Sequence, residues 1–172
     1  MKIQILISKK FITKNFFKMN RLKNKETKKN TDLKIRYASI KDLNFTLKLY
    51  NQNVLRGNYF SKRKVLLKEH EIWFKDKIKD KMLFISSLSK KKIGYIRFDY
   101  VDKKNLSVSI AINDKFKRSG FGGKMLTETL NKNKISKFNV IAKIKKQNLT
   151  SKKFFLSLGF KFLKDDIYIL KR

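Results

Sequence analysis

The 172-residue chain contains no cysteine, which excludes disulfides, thiolate metal sites and cysteine nucleophiles. It has no proline, so its turns must come from Gly, Asn, Asp, Ser and Lys. A single histidine, His70, excludes any multi-histidine metal centre. No run approaches the roughly 18 apolar residues of a membrane span. Acids are scarce: 13 Asp and Glu face 45 Lys and Arg, a formal charge of +32. What is present suffices for a core, because 41% hydrophobic residues, with 15 Phe, is too apolar for a wholly disordered chain. The length fits one domain with a tail.

The charge has two readings. A polyanion partner, whether nucleic acid, anionic membrane or phosphorylated ligand, is one. The other is biased codon usage: 38 of the 45 cations are Lys, 7 are Arg, and the chain has only 3 Ala. A dedicated nucleic-acid binder would use more Arg, whose fork fits phosphate and guanine.

Residues 1–31 carry ten Lys/Arg and one acid, Glu26. The Lys/Asn run at 23–30 reads as a disordered basic extension, without a signal-peptide cleavage site. Phe11, Ile12, Phe16, Phe17 and Met19 also fit one side of a short basic amphipathic helix, and Met19 is an alternative start. From Leu33 the pattern is regular. A strand over 33–38 precedes a helix opened by Ser39 and Asp42 as a capping pair, running to about Asn53. A second helix is expected from Ser61, with Val65, Leu66, His70, Trp73, Phe74 and Ile78 at helical spacing. Strands follow at 82–88, 93–101 and 106–112, the last alternating cleanly with Leu106, Val108, Ile110 and Ile112 on one face. A helix over 121–131, a strand over 138–144, a helix over 150–158 and two short strands complete the chain. A three-strand meander followed by βα units predicts an α/β fold: a mixed, mostly antiparallel sheet with helices on both faces.

The sharpest local feature spans 113–126, Asn-Asp-Lys-Phe-Lys-Arg-Ser-Gly-Phe-Gly-Gly-Lys-Met-Leu. A strand ends and a loop with Gly120, Gly122 and Gly123 opens a helix. Such a loop offers successive amides as an anion nest at a positive helix end, the usual cradle for a pyrophosphate. Lys115, Lys117, Arg118 and Lys124 add charge. The dinucleotide fingerprint and the Walker loop do not fit, since Met125 stands where each needs another residue.

The loop resembles the acetyl-CoA loop of the GNAT superfamily of N-acetyltransferases, Gln/Arg-x-x-Gly-x-Gly/Ala, here Lys117-Arg-Ser-Gly120-Phe-Gly122, with Lys at the first position. A second segment is similar to another GNAT pattern: Asn148, Ser151 three on, Phe155 seven on, then Gly159-Phe160. The resemblance covers 33–172. It implies a GNAT fold and acetyl-CoA as co-substrate, without a metal. It also implies a cofactor site of Ile110, Ile112, Lys117, Arg118, Ser119, Gly120, Phe121, Gly122, Gly123, Asn148, Ser151 and Phe155. The seventh position is often a Tyr that protonates the departing thiolate; Phe155 has no proton to give.

A narrower set resembles the GNAT branch that acetylates nucleotide-linked amino sugars, as in pseudaminic- and legionaminic-acid type pathways. It comprises Asn51 through Arg56, Tyr59-Phe60-Ser61, His70-x-x-Trp73-Phe74 and Ile93-Gly94-x-x-Arg97-x-Asp99. That resemblance implies a sugar-nucleotide acceptor, with Arg56, Trp73 and Arg97 binding it. Candidates for the base that takes the amine proton are His70, Glu69 and Asp99. Arg97 and Asp99 lie two apart on one strand face and equally suit an ion pair. Two other functions compete: acetylation of protein N-termini, as on ribosomal proteins, and non-enzymatic nucleic-acid binding on the same scaffold. The expected location is the cytoplasm.

Overall fold

A computed structural model of the protein describes residues 32–57 and 59–172. The basic extension expected over 1–31 lies outside the described residues, and Lys34–Arg172 forms one compact unit. Seven strands make one sheet in the order β1-β2-β3-β4-β5-β7-β6. They are β1 Leu33–Tyr37, β2 Leu83–Leu88, β3 Lys91–Tyr100, β4 Asn105–Ile112, β5 Asn139–Lys143, β6 Lys161–Lys164 and β7 Ile167–Leu170. Four α-helices accompany them: α1 Leu43–Leu55, α2 Leu67–Lys79, α3 Phe121–Leu130 and α4 Leu149–Ser157. The pairings β2/β3, β3/β4, β5/β7 and β6/β7 are antiparallel, and β4/β5 is parallel.

Strand alternation places helices on both faces, as the sequence predicts. Tyr95 pairs with Ala111, and both belong to a buried cluster with Leu49 of α1 and Phe74 of α2. Gly94 and Ile112 pair one residue along and therefore face the other side. There α3 lies: a Cβ on Gly94 would stand 2.9 Å from Met125 Cε. The predicted face of Leu106, Val108, Ile110 and Ile112 is this one, opposite Tyr100, Phe98, Ile96 and Gly94.

The first helix begins as Ser39 and Asp42 foretell. The Asp42 carboxylate accepts from Ser39 N at 2.9 Å, and a 3₁₀ turn over Ile40–Asp42 leads into α1. Asp42 is fully buried and also accepts from both Arg36 Nη atoms, at 2.7 and 2.9 Å, with Lys92 Nζ at 2.7 Å. The second helix does not start at Ser61. Asn51 clamps Val65 through its backbone, Val65 N donating to Oδ1 at 2.9 Å and Nδ2 donating to Val65 O at 3.0 Å. This holds the preceding segment out of helix, and α2 opens at Leu67 with Glu69 capping Leu66 N at 3.0 Å.

Candidate functional site

The parallel ladder between β4 and β5 runs only from Asn105↔Asn139 to Ser107↔Ile141. Beyond it the two strands part, while β3 stays paired to β4 as far as Ile112. Asn113 N donates to Ile93 O at 2.8 Å, so by alternation the amides of Ile110 and Ile112 face away from β3, toward the opening. A cleft of about 510 Å³ occupies this place. Its floor is Ile110, Ala111 and Ile112; one wall is the loop from Phe116 to Gly123; another is Asn148 with Thr150, Ser151 and Phe154 of α4; the third is Asn53, Arg56 and Tyr59.

The glycine loop is built for an anion. Gly120 has φ +76° and is the N-cap of α3, and Arg118 has φ +61°, an uncommon value for a residue with a Cβ. Among the described residues no acceptor takes the amide hydrogens of Arg118 through Gly123, whereas Lys117 N donates to Asp114 O and Lys124 N to Gly120 O. Six adjacent donors without protein partners, at a positive helix end and beside a cleft, are an anion cradle. The absence of a side chain at Gly122 keeps it open: a Cβ there would lie 2.9 Å from Ile112 Cδ1 and 3.1 Å from Phe154 Cε2.

Of the residues the resemblance assigns to the cofactor, Ile110, Ile112, Lys117, Arg118, Gly120, Gly122, Gly123, Asn148 and Ser151 line this cleft. Asn148 Oδ1 accepts from Ser151 N at 3.0 Å and so caps α4. Ser119, Phe121 and Phe155 do not line it. Phe121 is buried edge-on against Phe116, and Phe155 is buried against Phe160 with ring centroids 4.9 Å apart. The aromatic ring that α4 presents to the cleft is that of its neighbour Phe154. Phe154 and Phe155 stand three and four residues from Ser151, spacings that both fall on its side of a helix, so the sequence carries no signal that chooses between them.

Of the three acceptor residues, Arg56 lines the cleft and forms an ion pair with Asp114, whose other oxygen holds Lys117 Nζ at 2.8 Å. The Lys117 hydrogen bond, with the Arg56 charge, keeps the Asp114 carboxyl below its usual range. Arg97 sits over the Trp73 ring at 5.3 Å and pairs with Asp99 at 2.9 Å, on the sheet face covered by α1 and α2.

None of the three candidate bases lines the cleft. Glu69 is bound by both Arg63 Nη atoms, at 3.0 and 2.8 Å, which with the Leu66 amide brings its pKa down to about 2. Asp99 is held between Arg97 and Lys77, the latter at 2.6 Å. His70 is buried, its Nε2 2.9 Å from Thr46 Oγ1 and its ring beside Trp73. Desolvation, then the Arg97 charge, lowers its pKa to about 4, so the ring is neutral at pH 7.

Tyr59, Asn53, Ala111, Thr150 and Phe116 complete the lining; Asn53 and Tyr59 fall in the segments that carry the amino-sugar-branch resemblance, but the sequence assigns none of the five a role. Tyr59 and Asn53 reach the cleft from a segment more than 50 positions before the loop, which no local spacing reveals. Among the described residues no group of His, Asp and Glu could hold a metal, and no helix is long and apolar enough to cross a membrane.

Solved structures share this architecture. An N-acetyltransferase from Staphylococcus aureus Mu50 superposes with a TM-score of 0.70 at 20% identity, covering 82% of this chain and 99% of that one. The ribosomal-protein-alanine N-acetyltransferase of Brucella melitensis gives 0.68 at 19%, covering 80% and 96%. The spermidine N-acetyltransferase of Vibrio cholerae, solved with CoA and spermine, gives 0.68 at 16%, covering 81% and 94%. No curated protein is a significant match in sequence. The family model described as Acetyltransferase (GNAT) domain matches residues 32–161, most of the chain, and together with the parted strands and the glycine loop this establishes that the protein belongs to the GNAT acetyltransferase family.

Proposed function

We propose that the protein transfers the acetyl group of acetyl-CoA to a primary amine carried by a nucleotide-linked sugar. The observation that carries the cofactor part is the set of unpartnered amides from Arg118 to Gly123 at the edge of the β4/β5 opening. Acetyl-CoA supplies an activated thioester. The loop amides, with Lys117 and Arg118, bind its diphosphate. The pantetheine arm lies between the parted strands, where the outward amides of Ile110 and Ile112 orient it and meet the developing oxyanion. Holding both substrates in one cleft supplies much of the rate by proximity.

The acceptor part rests on the third wall. Arg56 is a half-exposed cation at the cleft, suited to a nucleotide phosphate, and a basic surface draws an anionic acceptor. A protein amino terminus is the competing acceptor.

Two measurements test this in order. Acetyl-CoA raises the unfolding temperature if it binds the native state; no rise at millimolar ligand refutes the cofactor assignment. Thiol release is then compared for a UDP-linked amino sugar, spermidine and an alanine-starting peptide. Turnover of the peptide alone, or of spermidine alone, refutes the sugar-nucleotide acceptor.

A further inference from the structure

Acetyl transfer must deliver a proton to the departing sulfur, and the cleft holds few groups able to do so. Among the described residues no carboxylate and no imidazole lines it, and Phe155 carries no hydroxyl. Among the described residues Tyr59 is the only phenol lining it, presented from the segment between α1 and α2. Its ring stacks on Tyr50, centroids 4.9 Å apart, and its hydroxyl is 3.2 Å from that of Tyr95 on β3. Near it stand Ser109 of β4 and the charge of Arg97 of β3.

We propose that Tyr59 is the proton donor to the leaving thiolate, with Tyr95 and Arg97 as the groups that position it. This rests on the acetyltransferase reading above. The amine nitrogen forms a bond to the acyl carbon, and the carbon–sulfur bond breaks with its electron pair on sulfur. The Tyr59 proton passes to sulfur, and the proton shed by nitrogen returns to the phenol oxygen, so the residue ends as it began. With the Tyr95 O–H as donor in this pair, the Tyr59 hydrogen is free for the cleft, and the Arg97 guanidinium steadies the charge that grows on the Tyr59 oxygen. Burial keeps both phenols protonated at neutral pH.

Bound coenzyme A tests this without knowledge of the acceptor. The thiol of CoA in the complex is titrated by its thiolate absorbance in the ultraviolet, as a difference spectrum against the protein alone. A hydrogen bond from Tyr59 stabilises the thiolate, so Tyr59→Phe is expected to raise the bound thiol's pKa by about one to two units, as loss of one charge-assisted bond implies. Tyr95→Phe, which keeps the donor but loosens it, should move it the same way by less. Equal values in wild type and Tyr59→Phe overturn the proposal while leaving the acetyltransferase reading intact. Should Tyr59→Phe fail to fold, an unmoved value in Tyr95→Phe overturns it as well. Failure of CoA to bind the wild type refutes the acetyltransferase reading itself.

Discussion

Two glycines of the cofactor loop make a paired test, because the structure separates their roles. At Gly122 a methyl group would meet Ile112 Cδ1 at 2.9 Å and Phe154 Cε2 at 3.1 Å, both far ends of side chains. Moving them off their preferred rotamers costs about 0.5–1.5 kcal/mol. Replacing Gly by Ala in a helix recovers up to about 1 kcal/mol, less in the first turn. Gly122→Ala should therefore move stability by between a gain of about 0.5 kcal/mol and a loss of about 1.5 kcal/mol, the range of the difference of those two effects. Both displaced side chains line the cleft, so they close on the cofactor, and acetyl-CoA affinity should fall by about tenfold, equivalent to about 1.4 kcal/mol. At Gly120 the situation is reversed. Nothing lies within 4 Å of a Cβ, but φ is +76°. Gly120→Ala should cost about 1–2 kcal/mol for the left-handed backbone, lowering the unfolding temperature by about 3–8 °C. Thermal unfolding without ligand, and calorimetric titration with acetyl-CoA, read the two quantities separately. If Gly122→Ala binds within twofold of wild type, the loop is not the cofactor cradle. If Gly120→Ala is as stable as wild type, the left-handed cap is not required.

Other expectations follow from named groups. Removing the Asp42 carboxylate (Asp42→Ala) breaks the Ser39 cap and leaves Arg36 and Lys92 unpaired; because those cations are partly exposed and rehydrate, the loss should be about 2–3 kcal/mol, read as a lower urea midpoint. Burial pushes the Asp42 carboxyl up, but hydrogen bonds from Arg36, Lys92 and Ser39 outweigh it and hold the pKa below the ordinary 3.8; the stability this confers is full above about pH 4 and lost as pH falls through the lower native value. His70 behaves differently, with a native pKa of about 4 against 6.5 for the free group, so the unfolded chain binds more protons between those values and stability should fall from pH 6.5 to pH 4, by up to about 3 kcal/mol. As the sole histidine, its ring signals titrate unambiguously by NMR, and a midpoint near 6.5 would contradict the buried placement. Asp114→Asn frees Lys117 and Arg56 from their shared carboxylate, so acetyl-CoA should bind about twofold to fivefold more tightly at low salt, and an unchanged or weaker affinity would show that the tie does not compete with phosphate.

The elements of the sheet were legible because their patterns are local. β4 alternates, and its apolar set faces α3 as the period of two requires. Between β3 and β4 the Asp102-Lys-Lys-Asn105 segment closes a turn by local chemistry, Asp102 Oδ1 receiving the amides of Lys104 and Asn105 at 2.7 and 3.0 Å. The start of α2 was not legible, since Asn51 clamps Val65 from 14 positions away. His70 shows the same limit. Its spacing with Trp73 and Phe74 marks a helix face, but nothing local reveals that Thr46 and Arg97 meet it there and that it stands apart from the cleft lining.

The amino-acid order alone determined the loop: three glycines after a strand and before a helix leave amides exposed wherever the chain folds, because a helix cannot bond its own first donors. Tertiary structure decided what surrounds them. Whether Phe154 or Phe155 turns to the cleft depends on where Phe160 packs, and that contact closes only when α4 docks on the sheet. Tyr59 and Arg56 become part of the same cavity only because the sheet brings the end of α1 over β4, a meeting of distant segments that no spacing encodes.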